Sequence, residues 1–197
     1  ESIGNAGAAR LDLTLTGSPT IALLEMLVDI VATPTVAENR IAEIMTSAGY
    51  ACRLTHLTDG RLRLYNAANT TVYTTTATYL TGARVRILLG AQTGTGTGDG
   101  KHRFAAYSGS AGLSTTPDET MYSSDVANAS TGTTTVVRHS RISSTASSTA
   151  TVRLVNTQVD DASLTPIGPL VAGFGAPTGL TATPVSSTAI DLSWDAV

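Results

Sequence analysis

The chain of 197 residues carries 12 basic and 15 acidic side chains, a net charge of −3, and is 42% hydrophobic but only 5% aromatic. Cys52 stands alone, which excludes an intrachain disulfide and a metal site built from cysteine pairs, and the lack of a basic stripe argues against a nucleic-acid partner. Thr and Ser form about a quarter of the residues, so strands and turns around a core of Val, Leu, Ile and Ala are expected, an all-β composition.

In chain order, Leu11, Leu13 and Leu15 alternate with Asp12, Thr14 and Thr16, the period of a half-buried strand. The apolar run Ile21–Leu24 and Met26–Val28, broken by Glu25 and Asp29, is too short to span a membrane. Strands are expected over 26–32 and 39–46, with helix as the minority reading of 21–30 and 38–47. The stretches 51–57 and 61–66 alternate on either side of Thr58-Asp59-Gly60, and Asp-Gly between two such runs predicts a β-hairpin. At the start of the first of them, Tyr50, Cys52 and Leu54 should share the buried face, against Ala51 and Arg53. Further strands are expected over 71–74, 85–89, 103–107, 134–139 and 151–155, a spacing typical of sandwiches and barrels. The glycine-rich Thr93–Gly100 and the segment Ser108–Thr133 read as long loops.

The side chains that carry chemistry are dispersed. In a strand Glu25 and Asp29 would share a face about 13 Å apart, too far for the carboxylate pair of a retaining glycosidase. Glu38 and Glu43, five apart, should point to opposite faces, and all four read as solvated surface carboxylates. His56, His102 and His139 form no metal-ligand spacing, and no Gly-x-Ser-x-Gly elbow is present. The Gly94–Gly100 loop leads into a strand-like run rather than a helix, so it reads as a hairpin tip and not a phosphate loop.

Two resemblances organise the chain. Pro177, Leu180, Ala182, Ile190, Leu192 and Trp194 resemble the opening strands of a fibronectin type III domain, with the core tryptophan at Trp194 and the chain stopping three residues later. Two strands do not close a sandwich of about seven, which predicts a truncated segment 177–197 reached through a linker 167–176. Earlier, Asp59–Asn66, Thr71–Thr74 and Leu80–Ile87 resemble the middle strands of concanavalin A-like (laminin-G-like) jelly rolls, and Ala150–Val155 with Asp160-Asp161 resembles their closing strand. A jelly-roll β-sandwich over 1–166 is therefore expected. At Ala83-Arg84-Val85 the chain lacks the aromatic that this family often carries before Arg-Ile.

These resemblances imply the rest. Jelly rolls of this type often bind calcium through loop oxygens, making Asp99, Asp118, Asp125, Asn128, Asp160 and Asp161 the candidate ligands; no other cofactor is expected. A jelly roll followed by a fibronectin module is similar to minor tail and other virion-surface proteins of phages that infect actinobacteria. The expectation is thus a non-enzymatic structural or adhesive module at a virion surface, with no catalytic residues and no membrane insertion. Its expected partners are other virion proteins, further copies of itself (a trimer being common in fibres) and a host-surface glycan. The alternative is a carbohydrate-binding accessory module of a secreted bacterial polysaccharide hydrolase.

Overall fold

The computed structural model describes residues 11–35, 38–95, 100–126, 131–142, 151–168, 181–186 and 189–193. Among these residues thirteen strands follow one another: β1 (Leu11–Thr14), β2 (Ile21–Ala32), β3 (Asn39–Thr46), β4 (Gly49–His56), β5 (Leu62–Asn66), β6 (Thr71–Thr74), β7 (Arg84–Gln92), β8 (Gly100–Tyr107), β9 (Glu119–Val126), β10 (Thr134–Ile142), β11 (Thr151–Asp160), β12 (Thr181–Ser186) and β13 (Ala189–Ser193). A short 3-10 turn, Gly109–Gly112, is the one helical element among the described residues.

The first eleven strands form two antiparallel sheets, six-stranded in the order β1-β10-β3-β4-β5-β6 and five-stranded in the order β11-β2-β7-β8-β9. The chain is an all-β jelly-roll sandwich, as expected. The minority helical reading of 21–30 and 38–47 gives way to strands, because β-branched and alternating residues there fill the core. The Asp-Gly hairpin also forms: Gly60 N–H donates to Leu57 O at 3.0 Å, and Gly60 adopts φ +85°, a conformation that favours glycine. The Ser108–Thr133 loop is a correction. It contains the 3-10 turn and the strand β9, which Glu119, Met121 and Tyr122 continue beside β8.

Between the sheets lie Leu24, Met26, Val28 and Ile30 of β2, Val85, Ile87 and Leu89 of β7, and Phe104 of β8. They meet Ile44, Cys52, Leu54, Leu62 and Leu64 of the six-stranded sheet. Burying aliphatic side chains of this size contributes about 1.5–3 kcal/mol each, which is how a chain so poor in aromatics holds together. Cys52 is one of these buried groups, and burial pushes its thiol pKa far up, so it packs as a small hydrophobe.

β2 is buried on both faces because the outer face of the five-stranded sheet is also covered. Leu23, Leu88, Ala105 and Tyr107 form a second cluster closed by Leu164, from the segment after β11. Under the same cover lies the ion pair Glu25–Arg86, corrected here from a surface carboxylate, since the two side chains are 0% and 1% exposed. Arg86 donates from Nε to Gly112 O (2.9 Å) and from Nη2 to Ser114 O (2.6 Å), and its guanidinium lies 3.7 Å above the Tyr107 ring. Glu25 Oε2 accepts from Ile167 N–H (3.1 Å) and Gly168 N–H (3.3 Å). At Gly112, with φ +87°, an added Cβ would come within 2.6 Å of Leu27, so the turn depends on glycine there.

His56 and His102 are buried in the sandwich, each placing Nε2 near a carbonyl oxygen, Tyr79 O at 2.9 Å and Ala51 O at 3.2 Å. A carbonyl only accepts, so Nε2 carries the proton and donates in the neutral ring. Burial lowers both pKa values. The native state therefore resists protonation that the unfolded chain takes up below its pKa of about 6.5. This contribution is complete above that pH and is lost as the pH falls, by up to about 1.4 kcal/mol per pH unit for each histidine. Urea unfolding at pH 7.5 and 5.5 is expected to show the lower stability at pH 5.5; equal or higher stability there would refute the neutral buried pair.

β12 and β13 form a separate hairpin pairing Ala182 with Leu192 and Pro184 with Ile190. Pro177, Leu180 and Trp194 of the fibronectin resemblance lie outside the described residues.

Candidate functional site

The two outer faces of the sandwich differ. One is capped, as above; on the other, that of the six-stranded sheet, no described strand or helix is layered. Strand register places one row of side chains across that sheet: Asp12, Arg138, Glu43, Arg53, Tyr65 and Thr71. A second row holds Arg40, Thr55, Arg63 and Thr74. Because successive residues of a strand alternate between faces, the core positions Cys52, Leu54, Leu62 and Leu64 oblige Arg53, Thr55, Arg63 and Tyr65 to face outward.

Two irregularities add residues that strict alternation would send elsewhere. A register shift between Arg40 and Ala42 brings Glu38 and Glu43 to the same face, correcting the expectation that they oppose each other. Another shift, between Ile44 and Met45, releases Tyr50 from the Cys52 face. Tyr50 lies instead beside Arg53, whose guanidinium sits 5.4 Å from the Tyr50 ring centroid and 4.5 Å from that of Tyr65.

The acids on this face are already engaged. Glu38 Oε2 accepts from Tyr65 Oη–H (2.8 Å) and Thr55 Oγ1–H (3.4 Å), with Arg63 Nη1 at 3.9 Å. Arg63 Nη1 also donates to the Tyr65 hydroxyl oxygen at 3.2 Å. Glu43 is flanked by Arg40 at 3.5 Å and Arg138 at 3.4 Å, and Arg138 reaches Asp12 at 2.8 Å. Glu43, Arg53, Thr55 and Tyr65 form a buried floor, while Arg40, Arg63 and Glu38 stand at the rim with about a third of each side chain exposed. Such a floor combines aromatic rings with charged donors, which suits an elongated polar ligand better than a small apolar one.

A second cluster sits at one end of the five-stranded sheet. Asp29 binds Arg84 (Nε–Oδ1 2.6 Å) and Arg153 (Nε–Oδ2 3.0 Å) beside Val31, Thr81 and Gly82. Hydrogen bonding from Arg84, opposed by partial burial and reinforced by Arg153, holds the Asp29 carboxyl down at about 2. Both arginines are well exposed, so this is a solvated ion-pair cluster and not a built site.

The calcium candidates that fall among the described residues are spread over the five-stranded sheet. Asp118 precedes β9 and accepts from the Ser108 N–H; Asp160 ends β11 and accepts from Ala162 N–H at 2.8 Å, with Asp161 next to it. β9 and β11 are opposite edges of the five-stranded sheet, which separates Asp118 from Asp160 and Asp161. Asp125 lies within β9, and Asp99 and Asn128 lie outside the described residues. Among the described residues no three His, Cys, Asp or Glu side chains gather as a metal site.

No family model matches the chain, and no curated protein matches it. Solved structures do. The family 7 alginate lyase A1-II', crystallised in complex with substrate, is 15% identical over 81% of this chain and 72% of its own length, with a TM-score of 0.51. The PL-14 alginate lyase from Aplysia kurodai is 10% identical over 75% of this chain and 72% of its own, with a TM-score of 0.51. At such identities the likeness is one of fold. The expectation of a non-enzymatic virion module is corrected on this finding: both of these structures are alginate lyases, and neither is a virion protein. The chain is a jelly-roll β-sandwich of the kind these lyases adopt.

Proposed function

We propose that this chain is a polysaccharide-directed domain that lays a glycan across the outer face of its six-stranded sheet. One observation carries the reading. The opposite face is capped by the 3-10 turn and the segment around Leu164, while this face presents in-register arginines and tyrosines with a buried floor. Tyrosine rings give sugars a stacking surface, and guanidinium forks give their oxygens directional donors. The likeness to alginate lyases supports the choice of ligand class.

A second reading, cleavage by elimination, draws on Tyr65. Its hydroxyl donates to Glu38 and accepts from Arg63, so a proton can pass between phenol and carboxylate. In an elimination, Tyr65 Oη, with its own proton passed to Glu38, takes the proton from the carbon beside a carboxyl group, and the freed electron pair forms a C=C bond as the glycosidic C–O bond breaks. The departing oxygen takes a proton from Tyr65 Oη, which Glu38 then restores. Incubation with alginate and with neutral glycans, followed by gel retardation and by ultraviolet absorbance of unsaturated ends, tests both. Retardation by at least one polymer is expected, with Tyr65→Phe abolishing any absorbance rise while retaining retardation. Absence of retardation by every polymer would reject the proposal.

A further inference from the structure

We infer that Arg53 is the receptor for a negatively charged substituent, a carboxylate or a sulfate ester, on the bound glycan; this rests on the reading of the six-stranded face as the glycan site. Arg53 is only 6% exposed, and its Nε is buried without a hydrogen-bond partner among the described residues. Leaving a charged donor in that state is unfavourable. The two tyrosine rings compensate through their faces, but a ring face does not replace an acceptor in the plane of the guanidinium.

The acids nearby do not supply that acceptor. Glu43, directly across from Arg53 in register, is taken by Arg40 and Arg138, and Glu38 by Tyr65, Thr55 and Arg63. Four guanidiniums, Arg40, Arg53, Arg63 and Arg138, face three carboxylates, Asp12, Glu38 and Glu43, so among the described side chains this group carries one positive charge in excess. Arg53 is the member of that set without an ion pair among the described residues. An anionic oxygen would complete it with a charge-assisted bond, roughly twice as strong as the bond that a neutral hydroxyl offers.

The walls of the clamp differ in how they are held. Tyr65 is pinned through its hydroxyl to Glu38 and Arg63. Tyr50 is half-buried beside the β3–β4 turn and is the more open of the two walls, since Tyr65 is 8% exposed.

Nitrogen-15 NMR of the arginine Nε–H groups reads this directly, with the Arg53 signal assigned by its loss in Arg53→Lys. Sodium glucuronate and methyl sulfate are titrated at constant ionic strength, against glucose and sodium chloride. A saturable shift of the Arg53 signal with at least one of the two anions is expected, and whichever anion shifts it names the substituent. No shift, or the same shift with chloride, overturns the inference. Polymer binding separates this from the wider reading. If the small anions shift the signal while no polysaccharide is retained, the receptor stands and the glycan reading falls. If a polysaccharide binds the native protein and Arg53→Met equally well, the glycan reading stands and the receptor falls; a loss of roughly tenfold or more in affinity supports both.

Discussion

Replacing Glu25 with leucine is expected to cost about 3–5 kcal/mol of folding stability, because it leaves the Arg86 guanidinium buried without its counter-charge. Arg86 is 1% exposed and keeps only Gly112 O, Ser114 O and the Tyr107 ring as partners once the carboxylate is gone. The backbone N–H groups of Ile167 and Gly168 lose their acceptor in the same step, so the segment that caps the five-stranded sheet should loosen. For a domain whose whole stability is about 5–15 kcal/mol, this is a large fraction. The double variant Glu25→Leu/Arg86→Met should recover most of the loss, since a buried ion pair replaced by apolar groups of similar volume is often neutral or better. Asp29→Asn supplies the contrast. Its partners Arg84 and Arg153 are 41% and 62% exposed, and pairs in that setting contribute about 1 kcal/mol or less. Denaturant unfolding of the four proteins checks the order; a Glu25→Leu variant as stable as the parent would refute the assignment of this pair as a structural fastener.

The second large effect has the opposite sign. Arg53→Met is expected to stabilise the domain by about 1–3 kcal/mol, because it removes a buried cation with an unsatisfied donor and retains an unbranched apolar stem between the rings. The same substitution should weaken glycan binding. A site kept at a cost in stability is common where ligand binding demands a polar group in a buried place, and the stability gained with the binding lost would mark Arg53 as such a residue. Thermal melting of the two proteins without ligand reads the sign. A destabilised Arg53→Met would mean that the guanidinium is satisfied by its present neighbours and serves packing.

Much of the fold was legible in the sequence. Strand positions followed from alternation, and the β4–β5 hairpin followed from Asp59-Gly60. The strand β9 was hidden because Ser and Thr around it look like loop, although Met121 faces the core side and Glu119 ties the edge to the backbone of Thr76 and Ala77. The site was half visible. Arg53, Thr55, Arg63 and Tyr65 occupy the polar phase of two strands whose other phase is Cys52, Leu54, Leu62 and Leu64, and that phase was readable as one outward face. The joining of Glu38, Glu43 and Tyr50 to it was not, because it depends on two register shifts in β3 and β4 that no periodic rule predicts. Glu25 misled for a related reason: an acid flanked by apolar residues looks like a surface break until its partner on the neighbouring strand, Arg86, is placed beside it.

The most direct test of the central claim is a hydrogen-exchange footprint of the domain with and without a polysaccharide that retards it on gels. Protection is expected to fall on β3, β4 and β5, centred on the backbone around Arg53 and Tyr65, with the five-stranded sheet unchanged. Protection confined to the five-stranded sheet, or none at saturating polymer, would contradict the assignment of the six-stranded face as the polysaccharide site.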